Sequence, residues 1–413
     1  MPSPCYLPPS SLPPQSSSTI TLTRYLSSMT ASDPSLREME GLILSIQMAC
    51  KTISTLVNRA GIHQLTGPEI ASLAGDQGKG DGKRGRRKGK GGGLKGGEKQ
   101  AKRSAKVNIQ GEEVKKLDAL SNDVLKNALR FTGKLGVLAS EEEDEAVLIE
   151  SALDSRYVAV FDPLDGSSNI DASICAGTIF GVLEDGTVDM KNEFLKSGGE
   201  REEMDPLYWD DPTASQLDNL ETLLQPGKNL AASGYCMYSS STILVFTLGG
   251  SNPVVGFTLD PQLGEFVLTH PNMIVPSRGS VYSLNEGNSH LWDAGIREYI
   301  NKVKQGKGRS KKEYSARYIG SMVGDVHRTL LYGGIFGNPG DKKYPTGKLR
   351  LVYECSPMSF LVKQAGGGEC TNEGKSILEV VPKGVHERCS CWLGSTDDID
   401  ELKTYLKGGD NAI

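Results

Sequence analysis

The sequence has little of what most hydrolases and zinc proteins use. It holds five histidines, none in HExxH or any other ligand spacing, so a histidine-held metal is not the organising centre. No G-x-S-x-G elbow occurs, which removes the usual activated serine. The eight cysteines (5, 50, 175, 236, 355, 370, 389 and 391) include no C-x2-C pair, and a chain of 413 residues needs no disulfide framework. Cys389 and Cys391 are too close to bridge easily and read as strand residues. A reducing compartment follows. No run approaches the ~18 apolar residues of a membrane span. Residues 1–32 lack Asp and Glu and are rich in Ser, Thr and Pro. That composition fits an organelle transit peptide or a plain disordered terminus, and its single arginine, Arg24, does not separate them.

What is present is unevenly spread. Residues 78–103 carry eleven Lys or Arg against two acids; with a chain charge of −5, the remainder carries −14. A nucleic-acid-binding domain is usually basic over its folded surface, and here the folded part is acidic. The basic run is Gly-rich, has almost no apolar residues and cannot bury a core, so residues 75–106 read as a disordered insertion. Nucleic acid is not the expected partner.

Helical spacing of Leu42, Ile46, Ala49, Ile53 and Val57 predicts a helix over about 35–60. A second helix is predicted over about 115–131, with Leu117, Leu120, Val124, Leu125 and Ala128 inward. Two apolar strands follow, 135–140 and 157–161, each running into carboxylates: Glu141 to Glu143, then Asp162 and Asp165. If these strands are neighbours in a sheet, their ends form one acidic cluster. Residues 184–228 read as an acidic surface excursion. From Asn229 onward strands dominate, with helices near 321–333 and 357–365.

The most informative string is DPLDGSSNID, residues 162–171. Pro163 stiffens a turn that brings Asp162 and Asp165 together. Gly166 leaves the backbone open, and Ser167 and Ser168 begin a helical turn whose free amides favour an anion. Two carboxylates beside such amides suit Mg2+ gripping a phosphate. The bland alternative for a bare D-x-x-D is a capped surface turn. KLRLVYE, residues 348–354, alternates with period two, so Lys348, Arg350 and Glu354 are predicted on one face of a strand, two phosphate-binding cations beside a further metal carboxylate. With no nucleophile of another kind in view, the chemistry is assigned to carboxylates, metal and water.

Together the strings EEVKKLDALSND, ASEEED, FDPLDGSSNID, AASGYCMYSSS, YSARYIGSMVGDVHRTLLYGGIF and GKLRLVYECSPMSF resemble class I fructose-1,6-bisphosphatase, in that family's order and from about residue 20 to 407. The plastid form is the most similar in SEEED, GYCMYSSS and NEGN. The resemblance implies a mixed α/β and α+β fold, the layered α-β-α-β-α sandwich of the sugar phosphatase superfamily that also holds inositol monophosphatase. It implies a disordered or transit segment at 1–31, an N-terminal half at 32–235 and a sugar-phosphate half at 236–408. It implies hydrolysis of the 1-phosphate of fructose 1,6-bisphosphate with two or three Mg2+ per subunit, Mn2+ being an alternative. Sedoheptulose bisphosphate remains a second possible substrate.

By the same resemblance, Glu141, Asp162, Asp165, Glu354 and the Leu164 carbonyl match metal ligands. Asp118 and Glu142 match the carboxylates that position and deprotonate water. Gly166, Ser167, Ser168 and Arg350 match the site of the leaving phosphate. Asn285, Tyr318, Lys348 and Arg317 match the site of the retained one, the arginine coming from a neighbouring subunit of a homotetramer, and Met322 matches a sugar-pocket residue. Asn338 stands where many members have a tyrosine on the retained phosphate; Asn288 stands where animal forms have another, and plant-type forms share the asparagine. Leu36, Arg37, Glu40 and Glu184 depart from the AMP site of sensitive members, and the 184–228 segment lacks the regulatory cysteines of thioredoxin-controlled plastid forms. AMP and dithiol control are therefore expected to be weak. A plastid location is favoured over a cytoplasmic one, with no membrane contact.

Overall fold

The computed structural model describes residues 19–63, 65, 116–149, 157–184 and 223–406. The basic run and most of the acidic excursion lie outside the described residues, as do residues 1–18.

The N-terminal helices α1 (Leu22–Ser32), α2 (Arg37–Asn58) and α3 (Lys116–Arg130) form one outer layer. Residues 19–31, expected without structure, are instead ordered by packing: Leu22 and Leu26 are fully buried on one face of α1. Their i, i+4 spacing is the sign of a docked helix, here obscured by the Ser/Thr-rich composition around it. In α2 the buried stripe Met39, Leu42, Ile43, Ile46, Ala49, Cys50 and Ile53 follows helical spacing as predicted. Asp33 caps the turn before it, accepting from the Ser35 amide. The stripe of α3 differs from the expected one. Leu120 is exposed, while Asp118, Ser121 and Asn122 are buried with Leu117, Leu125 and Leu129. That face meets a polar site, so part of what it buries is polar.

These helices cover an eight-stranded sheet: β1 (Leu135–Ser140), β2 (Val147–Leu148), β3 (Tyr157–Asp165), β4 (Ala176–Glu184), β5 (Leu230–Tyr238), β6 (Thr242–Thr247), β7 (Val255–Asp260) and β8 (Glu265–His270), in the order β2-β1-β3-β4-β5-β6-β7-β8. β5 runs through the 235–236 position expected as the division between halves. β1 and β3 are parallel neighbours, with Ser140 opposite Phe161. β3 and β4 are buried almost throughout, which requires cover on both faces. On one face Leu42, Ile46, Phe161, Phe180 and Phe246 share a core with α1 to α3.

The other face meets a second helical layer, which in turn covers a five-stranded sheet. That sheet takes β9 (Val281–Ser283), β10 (Ser315–Ala316), β11 (Ile335–Asn338), β13 (Gly368–Cys370) and β15 (Cys391–Gly394), while β12 (Leu349–Arg350) pairs with β14 (Arg388–Cys389) alone. Of the later helices, α4 is Ala294–Lys304, α5 is Met322–Tyr332, α6 is Ser356–Gln364 and α7 is Thr396–Leu406. Ile179 and Tyr235 of the large sheet, Val323 and Leu361 of α5 and α6, and Phe336 and Leu393 of the small sheet share one core. Helices α4 and α7 cover the outer face of the small sheet, with Ile296, Tyr299, Trp392, Ile399 and Leu402 packed together. Each such side chain contributes about 1.5–3 kcal/mol on burial. The layers are α-β-α-β-α, as the sequence implied.

Candidate active site

The strand register makes the acidic cluster. Because Ser140 pairs with Phe161, the residues that follow, Glu141 and Asp162, stand side by side where the β1–β3 pairing ends, Asp162 still paired to β4. Between Asp162 and Asp165 the β3–β4 ladder shifts register, since Asp162 faces Ile179 and Asp165 faces Gly177. This bulge holds Pro163, which has no N–H to give the ladder, and Leu164. The Asp162 carboxylate accepts from the Leu164 amide at 2.9 Å. Gly166 follows with φ +73, a left-handed conformation; a Cβ there would lie 2.6 Å from Ser321 Cβ. A 3-10 turn then runs over Ser167–Ala172, and the first amides of such a turn have no partner within it.

Glu354 reaches the cluster by a route that period-two reading misses. The strand expected over 348–354 ends at Arg350, and Leu351–Cys355 form a π-helical turn. Lys348 is exposed, Arg350 is buried, and Leu351 to Cys355 are all buried, so the residues do not alternate between two faces. The winding brings Glu354 back beneath Arg350, whose amide donates to its carboxylate at 2.6 Å. Four residues apart is one helical turn, so the pair is the same but the geometry is not a strand's.

Asp162, Asp165 and Glu354 are all buried, and each offers a carboxylate oxygen within 4.8 Å of the others. Burial is the first cause pushing all three above the ordinary carboxylate range; Glu141 adds repulsion at Asp162 and Glu354. Asp165 is partly relieved by donors from Val323 N at 2.9 Å and Ser321 Oγ at 2.7 Å. Arg350 supplies counter-charge, with its guanidinium 3.6 Å from Glu141. An all-oxygen, strongly anionic, buried donor set fits a hard divalent cation such as Mg2+ and not a soft one.

The acidic loop is held from α3. Glu143, expected with Glu141 and Glu142 in the acidic cluster, instead turns to α3, accepting from Asn122 Nδ2 at 2.7 Å and from Lys126. Asn122 in turn accepts from Ser140 Oγ. Asp118 lies one turn before Asn122 on the same buried face. Glu142 is half-buried and its amide donates to Ser140 Oγ at 3.3 Å. His386 ties in the far side, with Nε2 3.0 Å from the Glu143 carbonyl and Nδ1 2.8 Å from Tyr353 Oη. A carbonyl only accepts, so Nε2 carries the proton.

A pocket opens among the segments that carry Tyr318 and Lys348. Asn285, Asn288, Tyr318, Asn338, Tyr344 and Lys348 line it. The three expected residues Asn285, Tyr318 and Lys348 are brought together, whereas Arg317 is exposed and donates to its neighbour's carbonyl, Ala316 O. Met322 is buried in the core at the start of α5. Sequence reasoning missed Tyr344, which follows two lysines in an otherwise featureless loop. It also missed Ser321 and Asp325, whose signal was the helix start S-M-V-G-D. Asp325 accepts from the Ile319 and Gly320 amides and from Arg328, fixing the loop that carries Tyr318.

The pocket and the carboxylate cluster are joined by two short pieces of chain. Tyr318 precedes Ser321 by three residues, and Lys348 precedes Arg350 by two. Three residues reach at most roughly 10 Å. A buried cation-binding carboxylate cluster this close to a cationic polar pocket, in this layered sandwich, defines the sugar phosphatase class. The fructose-1-6-bisphosphatase N-terminal domain profile matches residues 99–271 and the C-terminal domain profile residues 275–407. The chain is 43% identical to chloroplastic fructose-1,6-bisphosphatase of Pisum sativum over 94% of its own length and 83% of the relative's. It is 44% identical to the cytosolic enzyme of Spinacia oleracea, over 93% and 94% respectively. The holo crystal structure of Leishmania major fructose-1,6-bisphosphatase aligns with TM-score 0.73 and 35% identity, covering 94% of this chain and 99% of that one. The chain belongs to the fructose-1,6-bisphosphatase family.

Proposed function

We propose that the chain hydrolyses fructose 1,6-bisphosphate at its 1-phosphate, giving fructose 6-phosphate and phosphate. The observation that carries this reading is the joining of the carboxylate cluster to the Lys348 pocket by the 318–321 and 348–350 segments, which suits a substrate bearing phosphates at both ends of one sugar. An inositol monophosphate would need only the carboxylate side.

In this reading Asp162, Asp165, Glu354, Glu141 and the Leu164 carbonyl hold two or three Mg2+ or Mn2+ ions. Such ions neutralise phosphoryl oxygens and make a nearby water more acidic. Asp118 and Glu142 orient the attacking water and take its proton. Gly166, Ser167, Ser168 and Arg350 receive the departing phosphate, and Arg350 is buried and charge-balanced enough to stay fixed. Asn285, Tyr318 and Lys348 hold the phosphate that stays, and Met322 borders the sugar. Arg317, turned to solvent, is assigned to the pocket of a neighbouring copy in a homotetramer. Relatives of both chloroplastic and cytosolic name are equally similar; the acid-free N-terminus favours the plastid.

Phosphate release from fructose 1,6-bisphosphate is expected with Mg2+ and lost without it, and Asp118→Ala is expected to abolish it. Equal turnover of inositol monophosphate would sink the reading; a parallel assay with sedoheptulose 1,7-bisphosphate ranks the sugars. Regulation is assigned as weak. Glu40 accepts from Ser27 Oγ at 2.8 Å and Thr30 Oγ1 at 2.6 Å, so a carboxylate already occupies the contact between α1 and α2. Millimolar AMP and dithiol reductant are each expected to change the rate by less than about twofold; tight AMP inhibition or a large rise on reduction would refute this.

A further inference from the structure

The pocket around Lys348 contains an aromatic ring with an unusual charge environment. Lys348 Nζ lies 4.7 Å from the Tyr344 ring centroid, Lys343 Nζ 5.2 Å and the Arg388 guanidinium carbon 5.9 Å. All three are within reach of cation–π attraction. The ring's place is built. Asp341 Oδ1 accepts from the Lys343 and Tyr344 amides, both at 2.8 Å. The amides of Asp341 and Gly347 both donate to the Tyr344 carbonyl at 2.9 Å. Gly347 closes the loop at φ +87, where a Cβ would lie 2.6 Å from Cys389 O. The backbone of Lys348 is held as well, its amide by Asn338 Oδ1 at 3.4 Å and its carbonyl by Arg350 Nη1 at 2.7 Å.

The Lys348 side chain is exposed, and among the described residues no carboxylate pairs with it. A long lysine side chain in water samples many rotamers, and fixing it costs entropy. A carboxylate would fix it but cancel its charge. An aromatic face attracts the ammonium while leaving its positive charge intact.

We propose that Tyr344 is a positioning residue for the retained phosphate, holding the Lys348 ammonium over its ring face at the mouth of the pocket. This rests on the reading of that pocket given above. Its strength is set by the ring, not the hydroxyl, so phenylalanine should replace it and leucine should not.

The test uses the full-length enzyme with Mg2+, comparing Tyr344→Leu and Tyr344→Phe with wild type. Fructose 6-phosphate carries only the retained phosphate, and inorganic phosphate mimics the one that leaves. For Tyr344→Leu, the KM for fructose 1,6-bisphosphate and the inhibition constant of fructose 6-phosphate should both rise about two- to fivefold. Its kcat, its inhibition by inorganic phosphate and its thermal midpoint should stay at wild-type values, and Tyr344→Phe should match wild type throughout. The proposal is overturned if Tyr344→Leu leaves both constants unchanged, if Tyr344→Phe loses as much as Tyr344→Leu, or if kcat and phosphate inhibition shift in parallel with KM. A wild-type enzyme inactive on fructose 1,6-bisphosphate would instead refute the underlying reading, before any variant is made.

Discussion

The carboxylate cleft and the pocket around Lys348 are two or three residues apart along the chain, yet they are made differently. The cleft is assembled from strand ends, a bulge and a π-turn, and its three clustered acids are buried. The pocket is lined by loops; Lys348, Asn285 and Tyr318 are exposed, and its expected arginine faces outward. Buried groups of one sign are costly and wait for a cation. Exposed groups cost little and add attraction in small steps. The cleft should therefore decide whether turnover occurs, and the pocket how tightly the substrate is held.

The largest effect should come from the cleft. Asp162→Asn or Glu354→Gln is expected to lower kcat by about a thousandfold or more if each is a cation ligand, as proposed. The same changes should leave the metal-free protein as stable as wild type or more so, because each deletes a carboxylate that burial and its neighbours disfavour. Rate assays and thermal midpoints in chelator measure the two halves. A variant that loses rate and fold together would mean the acids are structural.

The sign of the pH dependence follows from the same shifts. A carboxyl whose folded pKa is raised takes up a proton on folding, so its stabilisation is present at low pH. That stabilisation is lost as pH rises from the unfolded value, near 3.8 for Asp162 and Asp165 and 4.5 for Glu354, through the raised folded value. Metal-free protein should lose stability across that window, and Mg2+ should restore it. The Mg2+-induced rise in thermal midpoint is therefore expected to be larger at pH 8 than at pH 5; an equal rise at both would place the bound ion elsewhere.

The pocket should respond in KM. Lys348→Ala is expected to raise KM about tenfold with kcat within a few-fold, since in the proposed reading a charge-assisted phosphate contact is lost and no reacting atom is touched. Arg317→Ala should do the same if the arginine serves a neighbouring copy. Co-expression of Arg317→Ala with Asp162→Asn should then restore a fraction of low-KM turnover, because the inactive subunit still lends its arginine. Failure to recover it would return Arg317 to its own subunit.

The two regions also differ in how far the sequence disclosed them. The strands 135–140 and 157–161, each a short apolar run ending in acids, disclosed the parts of the cleft, because strand composition is local, while their adjacency and register came from the fold. Glu354 was found for the wrong reason: K-L-R-L-V-Y-E alternates well enough to pass for a strand, and only tertiary packing around Tyr353 and Cys355 winds it into a π-turn. The buried polar face of α3 was misread for a related cause, since Asn122 bonds to Glu143 and Ser140, Asp118 shares its buried face, and Leu120 is left exposed. The α1 helix and the helices α4 and α7 were overlooked because composition or neighbouring strands masked their short apolar spacing. Tyr344 left no sequence signal, as cation–π contacts depend on loop conformation.

The smallest effect expected is a gain. Asn338 stands where many family members carry a tyrosine, and a lost phenol–phosphate bond is worth roughly 1–2 kcal/mol. Asn338→Tyr should not recover all of that. Asn338 Oδ1 already accepts from the Lys348 amide, so replacing it loosens the residue that carries the charge. The substitution is expected to lower KM by less than about threefold, with kcat unchanged. A fall of tenfold or more would mean that the pocket lacks a donor that Lys348 does not replace, and that its polar loops are looser than the contacts around Asp341 and Gly347 imply. A rise in KM would mean that the hold of Asn338 on the Lys348 backbone matters more to the retained phosphate than an added hydroxyl.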